Sequence, residues 1–177
     1  VQLLVNDRVV DLVDEGIDLA IRIAQLKDSS LIARKLAVNH RMLVASPDYL
    51  KKWGQPETPD QLSDHSLITY APGNPINDWH FMVDNQQKIL RAKGTLAMNN
   101  GDSVLQTVLS GGGLAMLAAF MAGEHVKSGK LVTLLEDYVR EDVPIYAVYP
   151  SGRHLSPKVR AFVDFLVDLY NPTPYWL

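Results

Sequence analysis

Cysteine is absent from the 177-residue sequence. The chain therefore has no disulfide framework, no thiol nucleophile and no cysteine-based zinc site. Its five histidines lack the H-x-x-x-H and H-E-x-x-H spacings that predict a zinc site, so we expect neither a metal ion nor another cofactor. An apolar run of about 18 residues, the length that crosses a bilayer, is also absent, and we expect no membrane partner.

Basic residues are also fewer than acidic ones. Lys and Arg together number 17 against 20 for Asp and Glu, and the net charge of −3 argues against a nucleic-acid surface within this segment. An apolar share of 47% is ordinary for a soluble protein, and the length fits one large domain or two small lobes. The opening VQLLV has neither an initiator methionine nor a secretory leader, so we expect a cytoplasmic segment of a longer protein.

The first part of the chain is typical of an α/β fold. Residues 1–5 predict a strand, followed by a short helix that buries Val13 and ends at Gly16. Residues 17–23 alternate apolar and other side chains, which predicts a second strand, and a strand–helix–strand unit implies parallel pairing. The extended run 31–46 is too long for one ordinary strand, so we expect it to pass between two lobes.

The same pattern continues to the end of the chain. Ser46-Pro47 predicts a helix start, and turn residues at 84–87 predict a β-hairpin. Ser156-Pro157 opens the last helix, whose apolar face is expected to bury Phe162.

The stretch NNGDSVLQTVLSGGGLAML, residues 99–117, contains three successive glycines beside a helix. In a phosphate-binding loop the glycines precede the helix, whereas here they follow it, so we interpret 111–113 as a tight helix-to-strand connection. Ser103 and Gln106 form a capping-box pattern, which predicts a helix start near Asp102 or Ser103.

Two predicted helix starts follow strands, at Asn6 and at residues 99–103. In α/β proteins a ligand lies at the carboxyl ends of the strands, where the unpaired N–H groups of such helices point. The pattern therefore predicts a pocket between lobes for a small carboxylate, with Arg22 adding positive charge. Trp79 is expected either in the core or lining this pocket.

Several stretches together resemble the effector-binding domain of the LysR-type transcriptional regulators. They follow one another in the order typical of that family and cover nearly the whole chain. The motifs are DRVVDLVDEGIDLAIRIAQLKDSSLIARKL, VASPDYL, TPDQLSDHSLITY, NNGDSVLQTVLSGGGLAML and YAVYPSGRHLSPKVRAFVDFLVD.

The resemblance implies a type 2 periplasmic-binding-protein-like α/β fold. Lobe I would hold 1–39 and 145–177, lobe II would hold 40–144, and two crossing strands would form the hinge. The DNA-binding winged helix-turn-helix and the first strand and helix of the effector domain would lie outside this chain. By position, the implied effector contacts are near Asn6, Ile23, Asn100, Asp102 and Ser103, with the 71–75 loop and Trp79 in addition.

The resemblance also implies partners. These are a small-molecule effector such as an organic or aromatic acid, promoter DNA through the absent N-terminal domain, and a homodimer or homotetramer. The Asp102 carboxylate suits a neutral or cationic effector better, unless it turns outward as a cap.

Two other functions remain open at this point. A transporter's solute-binding protein has the same fold but needs a secretion signal. An enzyme needs a catalytic group, and neither a G-x-S-x-G motif nor a metal-ligand spacing is present, so we expect no catalytic residues.

Overall fold

The computed structural model describes residues 1–5, 10–24, 30–71, 74–151, 156–170, 174 and 176. The chain divides into two compact units. Unit 1 comprises Val1–Asp7 and His40–Glu141, and unit 2 comprises Arg8–Asn39 and Asp142–Leu177. By these bounds the chain changes unit after Asp7, at residues 39–40 and again at 141–142.

Helices and strands alternate along the chain, as expected of an α/β protein. Their bounds, in order, are β1 (Ala20–Ile23), β2 (Leu31–Ala45), α1 (Pro47–Trp53), a 3-10 helix (Pro59–Asp64), β3 (Ile68–Tyr70), a second 3-10 helix (Pro75–Asn77), β4 (Asp78–Val83), β5 (Gln86–Arg91), β6 (Leu96–Met98), α2 (Gly101–Leu109), β7 (Ala115–Ala118), α3 (Ala119–Lys127), β8 (Val132–Leu134), β9 (Asp142–Pro150) and α4 (Pro157–Tyr170).

Unit 2 is built from a sheet covered by the last helix. β1 and β9 pair antiparallel, with Ile21 opposite Ala147, and β9 also neighbours β2. Val159 and Val163 of α4 pack against Ala147 and Tyr149 of β9. The 3.6-residue spacing of these apolar side chains gives α4 one face that the sheet buries.

Unit 1 is organised around the second half of β2. That half pairs antiparallel with β7 and with β8, while β3 and β6 pair parallel and β4 and β5 form an antiparallel hairpin. Leu43 and Ala45 face one apolar core and Val44 faces another, so both faces of the strand are covered. α2 contributes Val104 and Val108 to the second of these cores.

Several local predictions are confirmed. β2 extends over 15 residues and continues from unit 2 into unit 1. α1 begins after Ser46, whose hydroxyl oxygen accepts the Tyr49 N–H at 3.3 Å. Asp84 and Asn85 have φ values of 51° and 58° and form the turn of the β4–β5 hairpin, as asparagine and aspartate readily do.

The predictions for the first 16 residues are wrong where the structure describes them. Residues 1–5 form no strand and are exposed, because a strand needs a neighbouring edge, which an apolar pattern alone does not supply. Residues 12–16 form a turn in which Leu12 is buried and Val13 is 65% exposed. Without a strand at 1–5 the predicted parallel unit is not formed, and β1 pairs antiparallel with β9 instead.

The predicted burial of Phe162 is also wrong. Its side chain is 49% exposed and stacks on Phe165 with the ring centroids 6.3 Å apart. The buried residues of α4 form the narrower stripe of Val159, Val163 and Leu166, and Phe162 lies at the edge of that stripe.

Candidate functional site

The start of α2 is capped by Asn100. The Asn100 side-chain oxygen accepts the Ser103 N–H at 3.0 Å, and its backbone carbonyl accepts the Val104 N–H at 3.2 Å. The predicted capping box of Ser103 and Gln106 is therefore wrong, and the helix begins at Gly101. Asparagine takes the role because its side chain reaches the third helical residue directly.

Two polar residues of this first turn face solvent. Asp102 and Ser103 are both exposed. Among the described residues, the Asp102 N–H has no hydrogen-bond partner, since Asn100 already serves the N–H groups of Ser103 and Val104. The positive end of the helix dipole thus meets an exposed carboxylate and an N–H group available to a ligand oxygen.

Tyr70 lies against this helix start and was not singled out in the sequence. A Cβ added at Gly101 would lie 2.7 Å from the Tyr70 hydroxyl oxygen and 2.9 Å from the terminal methyl carbon of Met121. The position of Tyr70 in the fold could have identified it. Tyr70 is the last residue of β3, which runs parallel to β6, and the end of β6 leads into α2. The carboxyl ends of parallel strands meet at one edge, where ligands bind.

The glycines at the other end of α2 close the helix, as predicted. The Gly111 N–H donates to the Val108 carbonyl at 3.0 Å, and the Gly112 N–H donates to the Thr107 carbonyl at 2.9 Å. Gly111 has a φ of 80°, the left-handed conformation that ends many helices.

Arg22 and Ile23 belong to unit 2, at the end of β1. The Arg22 guanidinium donates to the Val10 carbonyl at 2.7 Å, and the Ile23 side chain is 42% exposed. Asn6 lies outside the described residues. The effector roles predicted for these residues therefore stay predictions.

Trp79 lies in the core. Its side chain is 2% exposed and packs with Phe81, Leu43 and Leu62 in unit 1. We accordingly leave Trp79 out of the candidate site, because a side chain so completely covered has almost no surface to offer a ligand.

Unit 1 also has an open depression beside the β4–β5 turn. Its walls carry both signs of charge and include none of the predicted site residues: they are Met82, Asp84, Asn85, Asp137 and Arg140. Across the described part of the chain, no three His, Asp or Glu side chains come close enough to hold a metal ion. No described helix is both long enough and apolar enough to cross a membrane.

Similar solved structures define the class of this protein. The regulatory domain of CrgA, a LysR-type transcriptional regulator from Neisseria meningitidis, has a TM-score of 0.81 and 30% identity. The match covers 88% of this chain and 76% of that one. The fold is that of these regulatory domains, an α/β fold of the type 2 periplasmic-binding-protein kind.

Sequence relatives define the family. The model of the LysR substrate binding domain matches residues 1–171. The HTH-type transcriptional regulator DmlR of Escherichia coli is 38% identical over 163 residues, which cover 92% of this chain and 53% of DmlR. An HTH-type transcriptional regulator of Haemophilus influenzae is 36% identical over 154 residues, covering 87% of this chain and 54% of that protein. This chain belongs to the LysR substrate-binding domain family and spans about half the length of these relatives.

The names of these relatives bear on the transporter alternative that the sequence left open. They are transcriptional regulators, not binding proteins of transporters. The resemblance found in the sequence is confirmed.

Proposed function

We propose that this chain is the effector-sensing domain of a DNA-binding transcription regulator of the cytoplasm. The observation that carries the proposal is the family match over residues 1–171, together with relatives that are named as HTH-type regulators. Those relatives are about twice as long as the matched segment. In the proposal, promoter DNA is bound by a part of the protein outside this chain, and the intact regulator is a homodimer or homotetramer.

The effector contacts the start of α2 in this proposal. Asp102 and Ser103 present exposed polar groups there, and the Asp102 N–H has no partner within the described structure. Asn100 holds the turn in place through its bond to Ser103. Tyr70, which lies against Gly101, supplies an aromatic and hydroxyl surface beside these groups.

The effector class that fits the helix start is a small organic acid. A carboxylate accepts hydrogen bonds from N–H groups at a helix N-terminus and is stabilised by the helix dipole. The Asp102 carboxylate opposes an anion by direct repulsion, so its removal should strengthen binding of an acid. If the effector is a cation, removal of the Asp102 carboxylate should instead weaken its binding.

A thermal-shift screen tests both the site and the ligand charge. Small carboxylates, amines and phenolics are added to the wild-type protein, and every compound that raises the melting temperature is repeated on Asp102→Asn and Asp102→Trp. We expect carboxylates to bind Asp102→Asn more tightly and Asp102→Trp not at all, because an indole fills the exposed side of the turn.

Asp48→Asn is the matched control. Asp48 is an exposed aspartate in the first turn of α1, in the same unit, so the substitution makes the same change of charge. Equal ligand-induced shifts in wild type, Asp48→Asn and Asp102→Trp would contradict the site. A ligand shift that Asp102→Asn weakens would contradict the organic acid and indicate a cation.

The DNA-binding part of the proposal has its own test. With a net charge of −3, this chain should not shift duplex DNA at physiological salt, whereas the intact regulator should. Binding of the isolated chain to DNA that weakens as salt rises would contradict the assignment of DNA binding to another segment.

A further inference from the structure

Arg41 is a buried residue whose guanidinium makes two hydrogen bonds. Its Nη1 atom donates to Oε2 of Glu141 at 2.9 Å, and the two side chains are 6% and 19% exposed. Its Nη2 atom donates to the backbone carbonyl of Ile76 at 2.8 Å. The Arg41 backbone N–H donates to the Glu141 carbonyl at 3.1 Å.

The energetics of this ion pair favour a role beyond stability. Burial lowers the pKa of the Arg41 guanidinium, and the Glu141 carboxylate acts in the opposite direction. Arginine nevertheless stays charged at neutral pH. Because well-packed apolar residues often replace a buried ion pair at no loss of stability, the pair is better explained by the geometry it enforces than by the stability it adds.

Arg41 and Glu141 occupy a particular place along the chain. Unit 1 is entered at His40 and left after Glu141, so these side chains lie directly beside two passages of the chain between units. The backbone and side-chain bonds between them hold the two passages together within unit 1.

The second hydrogen bond of the guanidinium leads toward α2. Ile76 belongs to the 3-10 helix Pro75–Asn77, and the Asn77 side chain accepts the Tyr70 N–H at 2.9 Å and donates to the Tyr70 carbonyl at 3.1 Å. The hydroxyl of Tyr70 in turn lies against Gly101, the first residue of α2.

We propose that Arg41 is a positioning residue that couples the start of α2 to the two passages of the chain at residues 39–40 and 141–142. A displacement of Tyr70 at the helix start moves Asn77 and the Ile76 carbonyl, and the rigid guanidinium passes that movement to Glu141. The regulatory use of this coupling rests on the proposed function. The coupling itself does not, and it can be measured without effector or DNA.

Site-resolved amide hydrogen exchange tests the coupling, because adjacency alone does not establish it. The Ser103 and Val104 amides report on the start of α2, and the Leu134 amide in the core strand β8 reports on global unfolding. The first variant is Arg41→Met with Glu141→Leu, which removes both charges and leaves no unpaired buried ion. The second is Glu141→Gln, which keeps the bond from Arg41 to Ile76.

In the double variant, we expect Ser103 and Val104 to exchange about five-fold faster relative to Leu134, the factor that corresponds to the loss of roughly one hydrogen bond. In Glu141→Gln, which weakens the bond from Arg41 to Glu141 but keeps the bond to Ile76, the same ratio should rise by a smaller factor. Arg91→Met is the control. It removes an exposed ion pair with Asp78, the residue that follows the 3-10 helix Pro75–Asn77, and it should leave the exchange ratio of the α2 amides to Leu134 unchanged.

Two results would overturn the proposal. One is a double variant in which Ser103, Val104 and Leu134 all accelerate by the same factor, because that is ordinary loss of stability. The other is a ratio that stays at its wild-type value in Glu141→Gln, because the start of α2 would then not respond to the ion pair beside the two passages. Neither result would contradict the proposed effector site. Equally, a ligand screen without a hit would not affect the hydrogen-exchange test.

Discussion

The Tyr70 hydroxyl lies in the space that a side chain at Gly101, the first residue of α2, would fill. A Cβ at position 101 would lie 2.7 Å from the hydroxyl oxygen, closer than such atoms approach in folded proteins. An alanine here would therefore force the Tyr70 or Met121 side chain to shift, and the close approach places an aromatic hydroxyl beside the exposed first turn. The effects of substitutions at these two positions on the free energy of unfolding should consequently not be additive.

The first prediction is a coupled effect of Gly101→Ala and Tyr70→Phe. Gly101→Ala should lower the free energy of unfolding by about 1–3 kcal/mol, the usual cost of overpacking. Tyr70→Phe removes the hydroxyl oxygen that the new methyl group meets, so the double variant should regain part of that loss. Urea denaturation of all four proteins measures the interaction energy. Losses that simply add in the double variant would show that the Tyr70 hydroxyl is not the obstacle.

A second prediction concerns the cap. Asn100→Ala should lower the free energy of unfolding by about 0.5–2 kcal/mol, because the Ser103 N–H loses its acceptor. Asn100→Asp keeps an acceptor at the same place and should be close to wild type. Ser103→Ala should also be nearly neutral, since its N–H is retained. If Ser103→Ala proved the more costly change, the cap would have been assigned to the wrong residue.

A third prediction separates the two faces of α4. Phe162→Ala should cost less than about 1 kcal/mol, because the side chain is 49% exposed. Leu166→Ala should cost about 2–5 kcal/mol, because Leu166 is 7% exposed and its removal leaves a cavity. Denaturant unfolding measures both variants. Equal losses would mean that Phe162 is covered in solution.

Sequence reasoning succeeded where a single local rule decides the structure. Ser46 before a proline started α1, and Asp84 and Asn85 turned the β4–β5 hairpin. In these places the residue carries its own conformational preference, so the neighbouring fold adds little.

It failed where a partner decides the structure. Val13 carries an apolar side chain at helical spacing, yet it is exposed because no neighbouring element covers it in the described structure. The cap of α2 was misplaced because Asn100 and Ser103 both satisfy capping rules, and only the three-dimensional helix start chooses between them.

The candidate site was predicted in part for the same reason. Asp102 and Ser103 are neighbours in sequence, so the helix start that contains them was visible to a local rule. Tyr70 is placed near that region by the pairing of β3 with β6, and Arg41 is linked to it through the Ile76 carbonyl. These contacts join residues far apart in the sequence, so a local sequence pattern does not predict them.

The last prediction concerns Gly113, where the connection from α2 to β7 passes the residues before β3. A Cβ at this position would lie 2.2 Å from the Ser66 carbonyl oxygen, which cannot withdraw easily because it accepts the Leu114 N–H at 2.8 Å. Gly113→Ala should therefore lower the free energy of unfolding by about 3 kcal/mol or more. Gly129→Ala is the matched control, because Gly129 has a φ of 73° but nothing within 4 Å of an added Cβ. Its cost should be only the backbone strain, about 1–2 kcal/mol. Denaturant unfolding of both variants gives the comparison, and equal losses would mean that the contact with Ser66 does not make Gly113 necessary.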